Sequence, residues 1–128
     1  MPLKRVVITG MGAVSPFGRG VDTLMTALLL GESGVRILPE LADIRGIRTR
    51  VAALVPGVDP GEIPRKYRRS MSTMSVFAAL AAGDAIAQAG LSGEQVRGGR
   101  LGVSIGSTIG SPRTTQAFFD DFRTDNSV

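Results

Sequence analysis

The chain has 128 residues, 43% hydrophobic and 20% charged, with 17 Gly and 7 Pro, which fits one globular domain or a piece of a larger one and excludes disordered, collagenous and low-complexity classes. It contains no Cys and no His, so a disulfide framework, a thiolate or imidazole zinc site, a cysteine nucleophile and a histidine base are all excluded from it, and no metal site is expected. Lys and Arg number 15 against 11 Asp and Glu, a net charge of +4, and the excess is local: Arg36, Arg45, Arg48, Arg50, Arg65, Lys66, Arg68 and Arg69 face only Glu40, Asp43, Asp59 and Glu62 in that stretch.

Arg5 to Thr9 (RVVIT) is an uninterrupted apolar, mostly β-branched run closed by glycine. It predicts a strand buried on both faces of a parallel or mixed sheet. Gly10 to Gly20 (GMGAVSPFGRG) reads as turn material, after which Val21, Leu24 and Leu28 recur at helical spacing until Gly31 supplies a stop. Val35 to Leu38 and Val51 to Val55 read as short strands around the basic loop. Val55 to Pro64 (VPGVDPGEIP) is an exposed connection, because its prolines remove backbone donors.

Ser70 to Ala89 predicts a long helix rich in Ala, Met and Leu, with Gly90-Leu91 as a Schellman-type end. Asp84 is its only charge, which implies a helix covered on most sides, with the alanines and Gly83 letting neighbouring layers approach. Ser92 and Gln95 have capping-box spacing, Arg100 to Gly106 (RLGVSIG) reads as another apolar strand, and Ser111-Pro112 opens a last helix that gathers Phe118, Phe119 and Phe122. The order β, α, β, β, α, β, α predicts an α/β layered fold with a mixed, mostly buried sheet. Such a sheet and helix need more cover than this chain supplies, so a partner subunit or further chain is expected against them.

Neither membrane signal holds. Lys4 and Arg5 precede an apolar run, but Gly10, Gly12, Pro16 and Gly18 break it, and no A-x-A site follows. Met71 to Leu91 is long enough to span a bilayer, yet it is mostly small residues, and Asp84 near its centre costs about 2.5 to 3.5 kcal/mol on insertion scales. A cytoplasmic location follows as the expectation.

Three pieces carry the candidate chemistry. ITGMGAVSPFG follows a strand as a dinucleotide loop does, but G-x-G-x-x-G from Gly10 needs Gly or Ala where Ser15 stands, and Pro16 denies the loop an N–H for a pyrophosphate. Tight-turn glycines against packed layers are the favoured reading. PRKYRRSM, Pro64 to Met71, places positive charge ahead of the long helix, against its macrodipole, which invites a functional reason. A lack of Trp and a single Tyr leave few platforms for base stacking, so an acidic protein or a phosphorylated small molecule suits this stretch better than nucleic acid. GVSIGSTIGSPR, Gly102 to Arg113, is a strand entering a Gly/Ser loop whose one bulky group is Ile109.

In this order, these pieces resemble the N-terminal part of the β-ketoacyl-acyl carrier protein synthases of the elongating type, the synthase I and II group with the thiolase fold. RVVITGMGAVSPFG is similar to the family's opening strand and loop, and ALLLGESGV to its first helix and turn. RKYRRSMSTMSVFAALAAGDAIAQAGL is similar to its basic cluster and long helix, and RLGVSIGSTIGSPR to its next strand. On this resemblance residues 1–128 are the N-terminal portion of a ketosynthase (thiolase-like) domain, with no separate second domain.

The resemblance implies a 3-oxoacyl-[acyl-carrier-protein] synthase of fatty acid or polyketide-like biosynthesis. In that family an acyl group moves from acyl carrier protein to a cysteine, malonyl carrier protein is decarboxylated, and its carbanion attacks the thioester. The family's Cys, His and Lys lie downstream of the matched stretch, so no catalytic residue is carried over and the chain alone is expected to be inactive. Lys66 and Arg69 match positions that touch the acidic helix and phosphopantetheine-bearing serine region of acyl carrier protein, and Arg65 and Arg68 reinforce that patch. Ile109 matches a position at the acyl pocket of synthase II-like members. The chain itself is expected to bind no cofactor, the phosphopantetheine riding on acyl carrier protein. Expected partners are that carrier, the remainder of the ketosynthase, and a second copy in a homodimer. Two alternatives stay open: a non-catalytic partner subunit resembling a chain-length factor, and a dinucleotide-binding protein.

Overall fold

The computed structural model describes residues 3–125. Its centre is a small hairpin seated on a long helix. Strand β1 (Val14–Ser15) pairs antiparallel with β2 (Gly18–Arg19), placing Val14 opposite Arg19 and Ser15 opposite Gly18. The stretch read from sequence as turn material therefore contains a two-residue hairpin. Ser15 is buried, and its hydroxyl donates to the Gly18 carbonyl and accepts from the Phe17 N–H, both at 3.2 Å, so the turn through Pro16 and Phe17 is closed by one satisfied side chain.

Helix α1 (Val21–Leu29) follows directly and ends as the glycine predicts. Gly31 sits at φ 69°, its N–H reaches the Leu28 carbonyl, and the Glu32 N–H reaches the Ala27 carbonyl, the paired bonds of a Schellman end. Strand β3 (Arg36–Ile37) pairs antiparallel with β4 (Val51–Ala52), with a 3-10 turn over Pro39–Asp43 between them. Both strands fall inside the predicted stretches and are shorter than them.

The helix expected over Ser70 to Ala89 is present, a little shorter than that span, and a separate turn lies ahead of it. Helix α2 (Arg65–Arg68) is a single turn, and α3 (Thr73–Gln88) begins afresh after Ser72, whose side chain accepts from the Ser75 N–H. Capping fixes the break, since a serine in an extended conformation satisfies a free helix donor better than a continued helix could. At the far end the Gly90 and Leu91 N–H groups reach the Ala87 and Ile86 carbonyls around Gly90 at φ 65°, the second Schellman end. Helix α4 (Gly93–Arg97) opens with the full capping box of Ser92 and Gln95, and α5 (Pro112–Asp125) closes the described chain. On α5 the ring of Phe118 meets Phe119 edge-on at 5.4 Å and stacks on Phe122 at 6.3 Å.

The segment ahead of the hairpin lies directly on α3. A Cβ on Gly10 would stand 2.0 Å from the Ala85 carbonyl oxygen, and one on Gly12 would stand 1.8 Å from that of Ala81. Backbone meets backbone there, and only glycine fits. The Met11 N–H donates to the Gln88 side chain at 2.6 Å, pinning the crossing one turn further along. Gly83, expected to share this role, has nothing within 4 Å of its would-be Cβ. Ala81 and Ala85 provide the approach on the covered side of α3, while Ala82, Gly83 and Ala87 lie exposed on the other.

Two expected strands gain no ladder among the described residues. Residues 5–9 and 100–106 pair with nothing, and both ladders present are antiparallel pairs of two strands. Val6, Ile8, Val103 and Ile105 are 90%, 83%, 79% and 68% exposed, against the expectation of a sheet buried on both faces. The physical reason is that a strand exists by its neighbours: an apolar run with no hydrogen-bonding partner and no covering layer is neither paired nor buried, whatever its propensity. Leu80 and Ala27 are the buried apolar side chains, so the core is the contact between α3, the hairpin and α1.

Candidate functional site

Among the charged groups, one closed network and one open patch stand out. Arg19, at the end of β2, reaches two carboxylates from opposite sides of its planar guanidinium. Its Nε and Nη2 donate to Asp84 of α3 at 2.9 and 2.5 Å, while Nη1 and Nη2 donate to Glu62 at 2.9 Å each. Two forks on one guanidinium is geometry that a lysine ammonium cannot reproduce. Hydrogen bonding to Arg19 holds the Asp84 and Glu62 carboxyls below their ordinary values, and the same bonds, Asp84 first, raise the guanidinium further above its own. The lone charge of α3 is thus partnered from 65 residues away in sequence.

Glu62 is also the acid nearest the basic cluster in sequence. Held by Arg19, it does not neutralise that cluster. Arg65, Lys66 and Arg69 are exposed and Arg68 is half-buried, and among the described residues none of the four has a carboxylate within salt-bridge distance. The Lys66 ammonium lies 4.6 Å from the Tyr67 ring centroid, and Tyr67 is itself 57% exposed. These side chains project from α2 and the residue after it, not from the first turn of α3, whose N-terminus is the Ser72 cap, so the opposition to the long helix's dipole inferred from sequence does not arise. Arg68 faces inward to a cleft of about 370 Å³ shared with Val58, Pro60, Met71, Val76 and Phe77. An unneutralised row of cations beside a partly apolar cleft suits an acidic macromolecular surface.

The remaining candidates lie elsewhere. Ile109 is 79% exposed in the loop before α5, where the Gly110 N–H donates to Ser107 Oγ at 3.0 Å and Gly110 holds φ 76°. Ile109 therefore stands uncovered on that loop. The glycines after residue 9 are pressed onto α3 rather than turned toward a ligand, and Ser15 is enclosed by its hairpin, so that loop offers no cradle for a pyrophosphate. Among the described residues no group of three or more His, Cys, Asp or Glu side chains is arranged to hold a metal ion, and no helix is long and apolar enough to cross a membrane.

Comparison with known proteins places the chain in a family. The family model for the β-ketoacyl synthase N-terminal domain matches residues 3–127. The chain belongs to that family. Its relatives include 3-oxoacyl-[acyl-carrier-protein] synthase 1 of Escherichia coli K12, 42% identical over 112 residues, a match covering 87% of this chain and 27% of the relative. Synthase 2 of Vibrio cholerae is 38% identical over 111 residues, covering 86% and 27%. A crystal structure of a β-ketoacyl synthase from Burkholderia phymatum superposes with a TM-score of 0.82 and 40% identity, covering 98% of this chain and 31% of that one. The chain thus spans about a quarter of the length of these curated relatives and has the thiolase-like fold of the family over that span.

Proposed function

We propose that this chain is the N-terminal portion of a ketosynthase domain in a 3-oxoacyl-[acyl-carrier-protein] synthase, which elongates acyl chains by decarboxylative condensation with malonyl-acyl carrier protein. The observation that carries the reading is the row of exposed cations on and beside α2, which have no acidic partner among the described residues. In this reading Lys66 and Arg69, reinforced by Arg65 and Arg68, dock acyl carrier protein, and the phosphopantetheine arm arrives on that carrier as part of the substrate. Ile109 lines the acyl channel once the rest of the domain closes around its loop. With no Cys and no His in the chain, the nucleophile and the groups that assist decarboxylation come from the remainder of the ketosynthase. A homodimer of the complete protein in the cytoplasm completes the proposal.

The test is product formation. Given acyl- and malonyl-carrier proteins, the chain together with the remainder of the ketosynthase is expected to release carbon dioxide and form 3-oxoacyl carrier protein, and the chain alone to form none. Carrier binding without product in the complete assembly would contradict the condensing role and leave the chain-length-factor reading.

A further inference from the structure

Helix α2 has little of its own to hold it. It is four residues long, lacks a side-chain cap, and begins at Pro64, whose carbonyl accepts the Tyr67 and Arg68 N–H groups. An isolated turn of this length is unstable in water, so its direction is set by what is anchored on either side. After α2, the Ser70 and Met71 N–H groups return to the Tyr67 and Arg68 carbonyls and lead into the Ser72 cap of α3. Ahead of it, the two bonds from Arg19 to Glu62 are, among the described residues, the hydrogen bonds that join residues 55–64 to any element other than α2.

Arg19 is itself well founded. It sits on a hairpin whose approach segment is pressed onto α3 at Gly10 and Gly12, and its second fork grips Asp84 in the middle of α3. Its side chain is 24% exposed and that of Asp84 29%, against 70% for Glu62. The more buried half of the network is on α3, and the more exposed half is the carboxylate three residues ahead of the basic turn.

We infer that Arg19 is a positioning residue for carrier-protein docking: by holding Glu62 against Asp84 it fixes the direction in which α2 presents its cations and keeps Glu62 from neutralising them. This inference rests on the docking reading above. Two effects follow from losing Arg19. The turn is freed at its N-terminal side, and Glu62 becomes an internal competitor for Arg65 and Lys66, which follow it at three and four residues along the chain.

The experiment is steady-state kinetics of the complete synthase with two acyl donors, an acyl-carrier protein and the same acyl group on N-acetylcysteamine, which has no acidic surface. Arg19→Met is expected to raise KM for the carrier-bound donor about threefold to tenfold, with kcat and all constants for the small thioester unchanged. Arg19→Lys keeps the charge but not the forks, and is expected to raise KM in the same way. Lys66→Glu with Arg69→Glu serves as the docking control. If the control raises KM and both Arg19 variants keep the wild-type value, Arg19 does not position the patch. Equal losses with both donors would make Arg19 a general structural residue and overturn the inference in a different way. If the control itself leaves KM unchanged, the docking reading fails first and the inference falls with it.

Discussion

A methyl group on Gly12 would meet the Ala81 carbonyl oxygen at 1.8 Å, and that oxygen belongs to helix backbone, which cannot rotate aside as a side chain does. Gly12→Ala is therefore expected to destabilise the complete synthase by about 1–3 kcal/mol, read as a lowered urea midpoint. An unchanged midpoint would show that the crossing has slack. Ile109 is the contrasting case: exposed at 79% in this chain, it has no packing here to lose. Ile109→Gly is expected to change which acyl lengths the complete synthase accepts while leaving its melting temperature nearly intact. An unaltered length profile with a loss of about 2–5 kcal/mol would instead make it ordinary core.

At the scale of elements, what was legible in the sequence was what is decided locally. Gly31 and Gly90 end their helices, Ser92 and Gln95 form their box, and the three phenylalanines gather on α5, because each depends on residues within a turn or two. Strands at residues 5–9 and 100–106 depend on distant neighbours, and their sequence could state only a propensity. Arg19 was missed for the same reason, its partners lying 43 and 65 residues away. One signal did point to it: Asp84 stood alone in an apolar helix, and a half-buried carboxylate calls for a cation. The break between α2 and α3 was also legible in principle, as Ser72 followed three residues later by Ser75.

The Arg19 network gives these elements a pH dependence of definite sign. Asp84 and Glu62 have lowered values in the folded chain, so the unfolded chain takes up protons first as pH falls, and the linked stability present at neutral pH is lost on descending through and below about pH 4. Urea midpoints of the complete synthase between about pH 6 and pH 3 are expected to fall less steeply for Asp84→Asn than for wild type. Identical slopes would contradict a functioning network.

The whole molecule exposes 10885 Å² of surface. A compact monomer of 13.4 kDa is expected to expose about 6,500 Å². The excess, on the order of 4,000 Å² on this chain alone, is more than the one-sided share of an obligate interface, which buries about 2,000–5,000 Å² over both partners together. Much of the apolar part lies on residues 3–9, on Leu28 to Leu30, on Val103 and Ile105, and on the phenylalanines of α5. Sedimentation of the isolated chain is expected to show self-association or aggregation, and a compact, cooperatively melting monomer would contradict the claim that these surfaces are meant to be covered.

The proposed docking role rests on the cations on and beside α2. Individual exposed charge pairs are worth about 0–1 kcal/mol, so the effect of two reversals together is the informative one. Surface plasmon resonance of acyl carrier protein on the complete synthase, compared between wild type and Lys66→Glu with Arg69→Glu, measures it. The account predicts strong weakening at low salt, with a wild-type association rate that falls as ionic strength rises and the Debye length shortens to about 8 Å at 0.15 M. Equal binding by both proteins at low salt would contradict it.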